Sequence, residues 1–289
     1  MNFRKAIIPA VILITLFTNI ALAEEEAAEE KSYGVNVDLG FATIYNFRGY
    51  NTFQEDSQMD QNGAFFPSVT WSIGETGLYL GYWGAYQLSG DNISANVTGA
   101  LGHEQDLYVG WDKSFGPDDM LTFSAAFTYF FYPFATGVDE DGDKVDNPSI
   151  VEPLIGFSVS SVVDLGLNVS YFAGVDGSTE GLSHLYIKPT IGKSFSFGER
   201  FGLDMGLGAG FKVWKEDIDN NVIDLSFDFA LPIALEGSLY AAPSVSFAWT
   251  NIDEVETGEM DANGNAVMAK VGAGDEYMVY AGLNIGADF

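Results

Sequence analysis

The sequence predicts an all-β chain: a transmembrane, antiparallel, up-and-down β-barrel of about twelve strands. Three observations predict it. Runs of apolar alternation recur from Tyr33 to Phe289, each a strand with two unlike faces. The runs are 9 to 13 residues long, against roughly 5–6 for an ordinary strand and ~9–11 for one that crosses a bilayer at a tilt. The links between them are alternately short and long, which is the outer-membrane pattern of tight periplasmic turns and longer external loops.

The runs, in order, are Val35 to Phe47, Phe65 to Ile73, Leu78 to Leu88, Asp106 to Phe115, Leu121 to Phe131 and Leu154 to Val162. They continue as Leu165 to Ala173, Leu185 to Phe195, Phe201 to Val213, Ile223 to Leu231, Leu239 to Trp249 and Tyr277 to Phe289. Short links read GET (74–76), GPDD (116–119), VD (163–164), SFGER (196–200) and ALEG (234–237). Long ones cover about 48–64, 89–105, 132–153, 174–184, 214–222 and 250–276. An even strand number puts both ends of the chain on the periplasmic side. Pro67, Pro153, Pro189, Pro232 and Pro243 lie in or beside runs, where a proline cannot donate to a ladder.

Ahead of the barrel, MNFRKAIIPAVILITLFTNIALA has a basic start at Arg4 and Lys5, an apolar stretch and an A-x-A site at Ala21–Ala23. Residues 1–23 therefore read as a cleaved signal peptide, 24–32 as an acidic periplasmic spacer and 33–289 as the barrel. Beyond residue 23 no apolar run approaches the ~20 residues of a spanning helix. There is no cysteine, so disulfides and thiol-held metals contribute nothing. Loss of Arg4 and Lys5 takes the net charge from −29 to −31, the wrong sign for a nucleic-acid partner.

Which face looks inward follows from FGLDMGLGAGFKV (201–213). Phe201, Leu203, Met205, Leu207, Ala209, Phe211 and Val213 share one face, while Gly202, Asp204, Gly206, Gly208, Gly210 and Lys212 share the other. So many large apolar faces would overfill a small soluble barrel, so the apolar side is expected to face lipid. Aromatics near the run ends, including Tyr45, Phe47, Tyr129, Phe131, Phe195 and Trp249, suit interfacial girdles. The pore-lining candidates are Asp38, Asn46, Arg48, Lys188, Asp204, Lys212, Asp224 and Asp228. A mixed lining of this kind fits a water-filled or partly plugged pore, or charges paired across a closed interior.

The last run alternates through Tyr277, Val279, Leu283 and Ile285 to a terminal Phe289. It resembles the C-terminal assembly signal of Gram-negative outer-membrane proteins. That resemblance implies the barrel-assembly machinery as a partner and the outer membrane, with its lipid and lipopolysaccharide, as the destination.

Other motifs carry less. In VDEDGDKVDNP (138–148), Asp139, Asp141 and Asp143 alternate around a glycine and could wrap calcium, or simply form a solvated loop. The glycine is in the fourth place and no glutamate is in the twelfth, so it is not an EF-hand. His103 and His184 lie at strand mouths. His184 follows Ser183, but neighbours in a strand point to opposite faces, and no G-x-S-x-G or H-E-x-x-H occurs. The expectation is therefore no enzyme and no cofactor.

One stretch carries a family resemblance. In LGFATIYNFRGYNTFQ (39–54), Tyr45, Phe47, Arg48 and Gly49 resemble the Y-x-F-R-G signature of the TorF-type porin-like outer-membrane barrels. The next hairpin, GLYLGYWGAY, is similar to that family's glycine-aromatic pattern through Gly77, Tyr79, Gly81 and Trp83. Thr43-Ile44 and Tyr50-Asn51 depart from the family's flanking residues. The resemblance covers residues 35–90 and implies porin activity without a defined substrate. By its place at the end of the first run, Arg48 is expected at the external rim, as a pore-edge charge or paired with Glu55 or Asp56. The sequence thus points to a passive, cation-preferring channel for small polar solutes. The alternative is a non-conducting structural or adhesion barrel whose acidic loops bind calcium.

Overall fold

The computed structural model describes residues 33–53, 61–89, 103–133, 136–138, 144–146, 148–175, 179, 182–214, 222–251, 254–260, 266–270 and 277–289. The signal-peptide and spacer assignments, 1–23 and 24–32, lie outside the described residues. The barrel strands are β1 (Val35–Ala42), β2 (Ala64–Ser72), β3 (Leu78–Gln87), β4 (Glu104–Phe115), β5 (Leu121–Phe131) and β6 (Ser149–Ser160). They continue with β7 (Asp164–Gly174), β8 (His184–Phe197), β9 (Phe201–Trp214), β10 (Val222–Ala230), β11 (Leu239–Thr250) and β12 (Tyr277–Asp288).

Each strand pairs antiparallel with its neighbours in sequence, and β1 pairs with β12 from Asn36↔Asp288 to Ala42↔Gly282. The sheet is therefore a closed barrel of twelve strands with no free edge. Short turns and the two ends of the barrel segment, Tyr33 and Phe289, share one end; the long connections share the other.

Alternation sorts the side chains as the hydropathy pattern requires. Phe227, Leu207 and Ile285 point outward and are 38%, 51% and 40% exposed. Their neighbours Ser226, Gly208 and Asn284 point inward. This inverts the soluble arrangement, in which the apolar face is the buried one.

The prolines leave one-sided gaps. Pro67 is in register with Leu39 of β1, but the β2–β3 ladder skips Phe66 and Pro67. Pro153 faces Phe127 of β5 while the β6–β7 ladder skips Glu152 and Pro153. Pro189 faces Leu167 of β7 while β8–β9 skips Lys188 and Pro189. A strand residue offers its N–H to one neighbour, so a proline costs one side of the ladder and spares the other. Regular strand pauses at Leu231-Pro232 and resumes at Ile233–Ala234, in line with β10, while Leu231 N still donates to Pro243 O and Gly202 N to Pro232 O.

Two expected strands differ most in extent: the run Leu154 to Val162 already starts at Ser149, and the first run stops early. The run Val35 to Phe47 is strand only to Ala42. Beyond it, Ile44 and Tyr45 break the alternation with two adjacent large apolar groups, and both are buried. The chain turns into the barrel instead of continuing up its wall.

Candidate functional site

Residues 43–53 cross the lumen. Thr43 N still donates to Ala281 O of β12 at 2.9 Å, so the segment leaves directly from the seam. Ile44 then packs inward on Ala248 and Met278. Tyr45 packs with Phe53, Ala64 and Ala85 against Phe66 and Trp83, on the side of β2 and β3. Phe47 reaches Phe130 of β5 and Phe172 of β7, at ring centroid separations of 6.4 and 5.8 Å. Tyr45 and Phe47 are thus an internal core, and their expected place in an interfacial girdle is corrected.

Asn46-Phe47 and Tyr50-Asn51 pair as a two-residue ribbon with Arg48 and Gly49 at its tip. Both tip residues have positive φ, 54° and 81°, the geometry of a tight hairpin turn that glycine accepts readily and arginine does not. A Cβ on Gly49 would come within 2.7 Å of Asp224 Cβ and 2.9 Å of Thr250 Oγ1, so the tip lies flat on the wall of β10 and β11.

Polar groups complete the fit. Tyr45 Oη donates to Glu104 Oε1 at 3.0 Å, and Asn46 Nδ2 donates to Tyr280 Oη at 3.3 Å. Burial, reinforced by the Glu104 charge, pushes the Tyr45 phenol well above its ordinary range, which keeps it protonated and donating. Gly49 N donates to Asn46 Oδ1, which holds the turn closed.

Arg48 is the centre of the arrangement. Nη2 donates to Glu152, the one ion pair found among the described residues, and Nη1 lies 2.9 Å from His184 Nε2. His184 Nδ1 is 2.8 Å from Leu182 O, an acceptor only, so Nδ1 carries the hydrogen. Nε2 is then left as an acceptor for the guanidinium. The guanidinium carbon sits 4.3 Å from the Tyr186 ring centre, 4.7 Å from Phe47 and 5.2 Å from Phe172. Tyr186 is itself oriented by its hydroxyl, 3.1 Å from Asp224 Oδ2. The rim position expected for Arg48 is therefore corrected: it lies inside the bore. Its expected partners Glu55 and Asp56 lie outside the described residues, and its partner across the lumen is Glu152.

At this level the inward side chains Ala64, Ala85, Glu104, Phe130, Ile150, Phe172, His184, Lys212, Asp224, Thr250 and Met278 are all buried. They come from β2 through β12 in turn. A water-filled bore would leave such a ring wet, so the lumen is filled here.

Below it, toward the short turns, the lumen opens. A cavity of about 250 Å³ is lined by Lys188, Asp164, Asp228, Ser158, Thr190 and Ser226, with Gly206 and Gly208 in its wall. Elsewhere toward the short turns, Asp38 accepts from Tyr240 Oη and from Asn284 Nδ2 at 3.0 Å, and Asn36 donates to Asp288 at 2.9 Å.

The predicted lining set thus divides in two. Asn46, Arg48, Lys212 and Asp224 lie at the filled level, and Asp38, Lys188, Asp204 and Asp228 lie below it. Asp139, Asp141 and Asp143 lie outside the described residues; the flanking segments Thr136–Val138 and Lys144–Asp146 pair as a ribbon. Tyr277, Val279, Leu283 and Ile285 form the outward face of β12, and Phe289 exchanges backbone hydrogen bonds with Val35.

Sequence reasoning misses Glu152, Glu104 and Tyr186, and places His184 at a strand mouth without giving it a role. Glu152 precedes Pro153, where the sequence pattern ends the 132–153 connection, although β6 starts at Ser149. Glu104 is reached by carrying the inward parity of Asp106 and Tyr108 one rung further.

No known sequence family matches the chain, and no curated protein does. Among solved structures it is similar to the KdgM porin, with TM-score 0.48 and 6% identity over 88% of this chain and 99% of that one. It is also similar to the NanC porin, with TM-score 0.44 and 11% identity over 88% and 98%. An outer membrane channel from Pseudomonas putida F1 gives TM-score 0.47 and 10% identity over 92% and 100%.

Proposed function

We propose that the chain is an outer-membrane, porin-like channel for small polar solutes that prefers cations, held closed by residues 43–53 in the state described. The observation that carries this reading is the charge of the lower lumen. Asp38, Asp112, Asp164, Asp204, Asp228 and Asp288 occupy inward rungs there, against Lys188. Acidic walls in a confined, low-dielectric bore concentrate cations and repel anions. The apolar exterior supports residence in the outer membrane among lipid and lipopolysaccharide. The face formed by Tyr277, Val279, Leu283, Ile285 and Phe289 supports delivery by the barrel-assembly machinery.

The test is conductance in a planar bilayer. The wild type is expected to be nearly silent, while a variant with residues 44–52 replaced by a glycine-serine linker passes K⁺ in preference to Cl⁻. Asp164→Asn with Asp228→Asn then lowers the permeability ratio. Anion selectivity in the linker variant would refute the cation preference.

The second reading is a sealed structural or adhesion barrel presenting acidic, calcium-binding loops. The ring of buried inward residues favours it. A linker variant that folds as a heat-modifiable barrel yet passes no current would establish it over the channel.

A further inference from the structure

We propose that Glu152, Phe172, His184 and Tyr186 form a lumenal binding site for guanidinium-class cations, which Arg48 occupies from within the same chain. The proposal rests on the channel reading only for how a solute reaches the site.

All four residues belong to the barrel wall, on the adjacent strands β6, β7 and β8. The hairpin brings only Phe47 and the cation itself. Each of the four is more than nine-tenths buried, so the site is built rather than a chance surface contact.

Its chemistry selects a flat cation with donors on two edges. One edge of the guanidinium meets the Glu152 carboxylate, the other meets the acceptor nitrogen of His184, and the Tyr186 ring lies against it at 4.3 Å. An ammonium group is a compact, strongly hydrated charge that cannot match this fork and stacking together. The Glu152 carboxylate sets the preference for a cation, beside the inward Lys212, which is the cross-strand neighbour of Tyr186. The hydrogen bond of His184 to Leu182 fixes its ring before any cation arrives.

Two features make the occupant exchangeable. Arg48 holds a left-handed backbone at φ 54°, which disfavours its seated form. The site also borders the open cavity. Tyr186 is one inward rung above Lys188, and Asp224 one above Ser226, a separation of roughly 7 Å along the strand. A cation rising through the acidic lower lumen meets this site first, and the hairpin yields to it.

The experiment removes the internal occupant and supplies an external one, methylguanidinium. In detergent, millimolar methylguanidinium is expected to raise the thermal midpoint of Arg48→Ala. It should do so more than equimolar methylammonium, and the difference should vanish in Arg48→Ala with Glu152→Gln. In bilayers, Arg48→Ala should conduct and methylguanidinium should block it.

If the midpoint rises but no variant conducts, the site stands and the channel reading fails. If Arg48→Ala conducts but methylguanidinium acts no differently from methylammonium, the site fails and the channel reading stands. Should Arg48→Ala not assemble, an otherwise wild-type chain carrying Met278→Cys serves, since Met278 lies under Ile44. Methylguanidinium should speed its labelling by an aqueous thiol reagent by a factor near 1 + [L]/Kd, several-fold at tens of millimolar. Equal rates with methylammonium overturn the proposal.

Discussion

Replacing Gly49 by alanine tests whether the hairpin tip rests on the wall as tightly as its geometry requires. The native residue has φ 81°, and the added Cβ would stand 2.7 Å from Asp224 Cβ and 2.9 Å from Thr250 Oγ1. A left-handed conformation costs a non-glycine residue about 1–2 kcal/mol. Forcing a methyl into filled space adds about 1–3 kcal/mol, less whatever the tip recovers by shifting. The seated hairpin should therefore lose about 2–4 kcal/mol relative to the unseated one. At about 1.4 kcal/mol per decade, the unseated population rises ~30- to ~700-fold.

The chain has no cysteine, so a single Met278→Cys reports that population cleanly. Met278 is fully buried beneath Ile44 and meets an aqueous thiol reagent only when the segment lifts. Labelling of Met278→Cys with Gly49→Ala should outpace Met278→Cys alone by that factor. Both proteins should keep the heat-modifiable gel mobility of a folded barrel. Equal labelling rates in two folded barrels would refute the tight fit at the tip.

Other outcomes use the same reporter. Phe47→Ala removes the ring joining Phe130 and Phe172 to the Tyr45 side of the segment, costing about 3–5 kcal/mol of seating. Labelling should rise more than for Gly49→Ala. Tyr45→Phe leaves Glu104 without one donor, worth about 1–3 kcal/mol, and should raise labelling ~5- to ~100-fold. Because burial raises the phenol's pKa, its contribution is fully present below its unfolded value, near 10, and is lost as pH rises through the folded one. The gap between wild type and Tyr45→Phe should close as pH rises above about 10. Finally, a lipid-dissolved carbene should mark Phe227 and Ile285 and spare Ser226 and Asn284; the opposite pattern would reverse inside and outside.

The barrel was legible because its signal is repetitive. Period-two hydropathy over some ten residues, repeated twelve times, leaves few other ways to satisfy the backbone. Asp38, Lys188 and Asp228 fall on the inward rungs their parity assigns. The plug was not legible because it borrows the language of the wall. Asn46, Phe47 and Arg48 continue a polar–apolar alternation past the end of β1. Only the adjacent pair Ile44-Tyr45 and the two positive φ angles at Arg48 and Gly49 mark a hairpin that has left the sheet. The cation site was harder still. Glu152, Phe172, His184 and Tyr186 come from three strands, and a single strand's pattern does not tell which rungs will meet across a bore.

A hollow barrel has one reason to be compact, and that reason disappears when the bilayer is taken away. This one has a second. Ile44, Tyr45, Phe47 and Phe53 gather apolar surface at the axis, where lipid has no part in the outcome. Stripped into mild denaturant, the chain should keep a knot of aromatic side chains around its first loop after the strands have lost register. Tryptophan emission from Trp83, which lies in that knot, should change later than that from outward-facing Trp71.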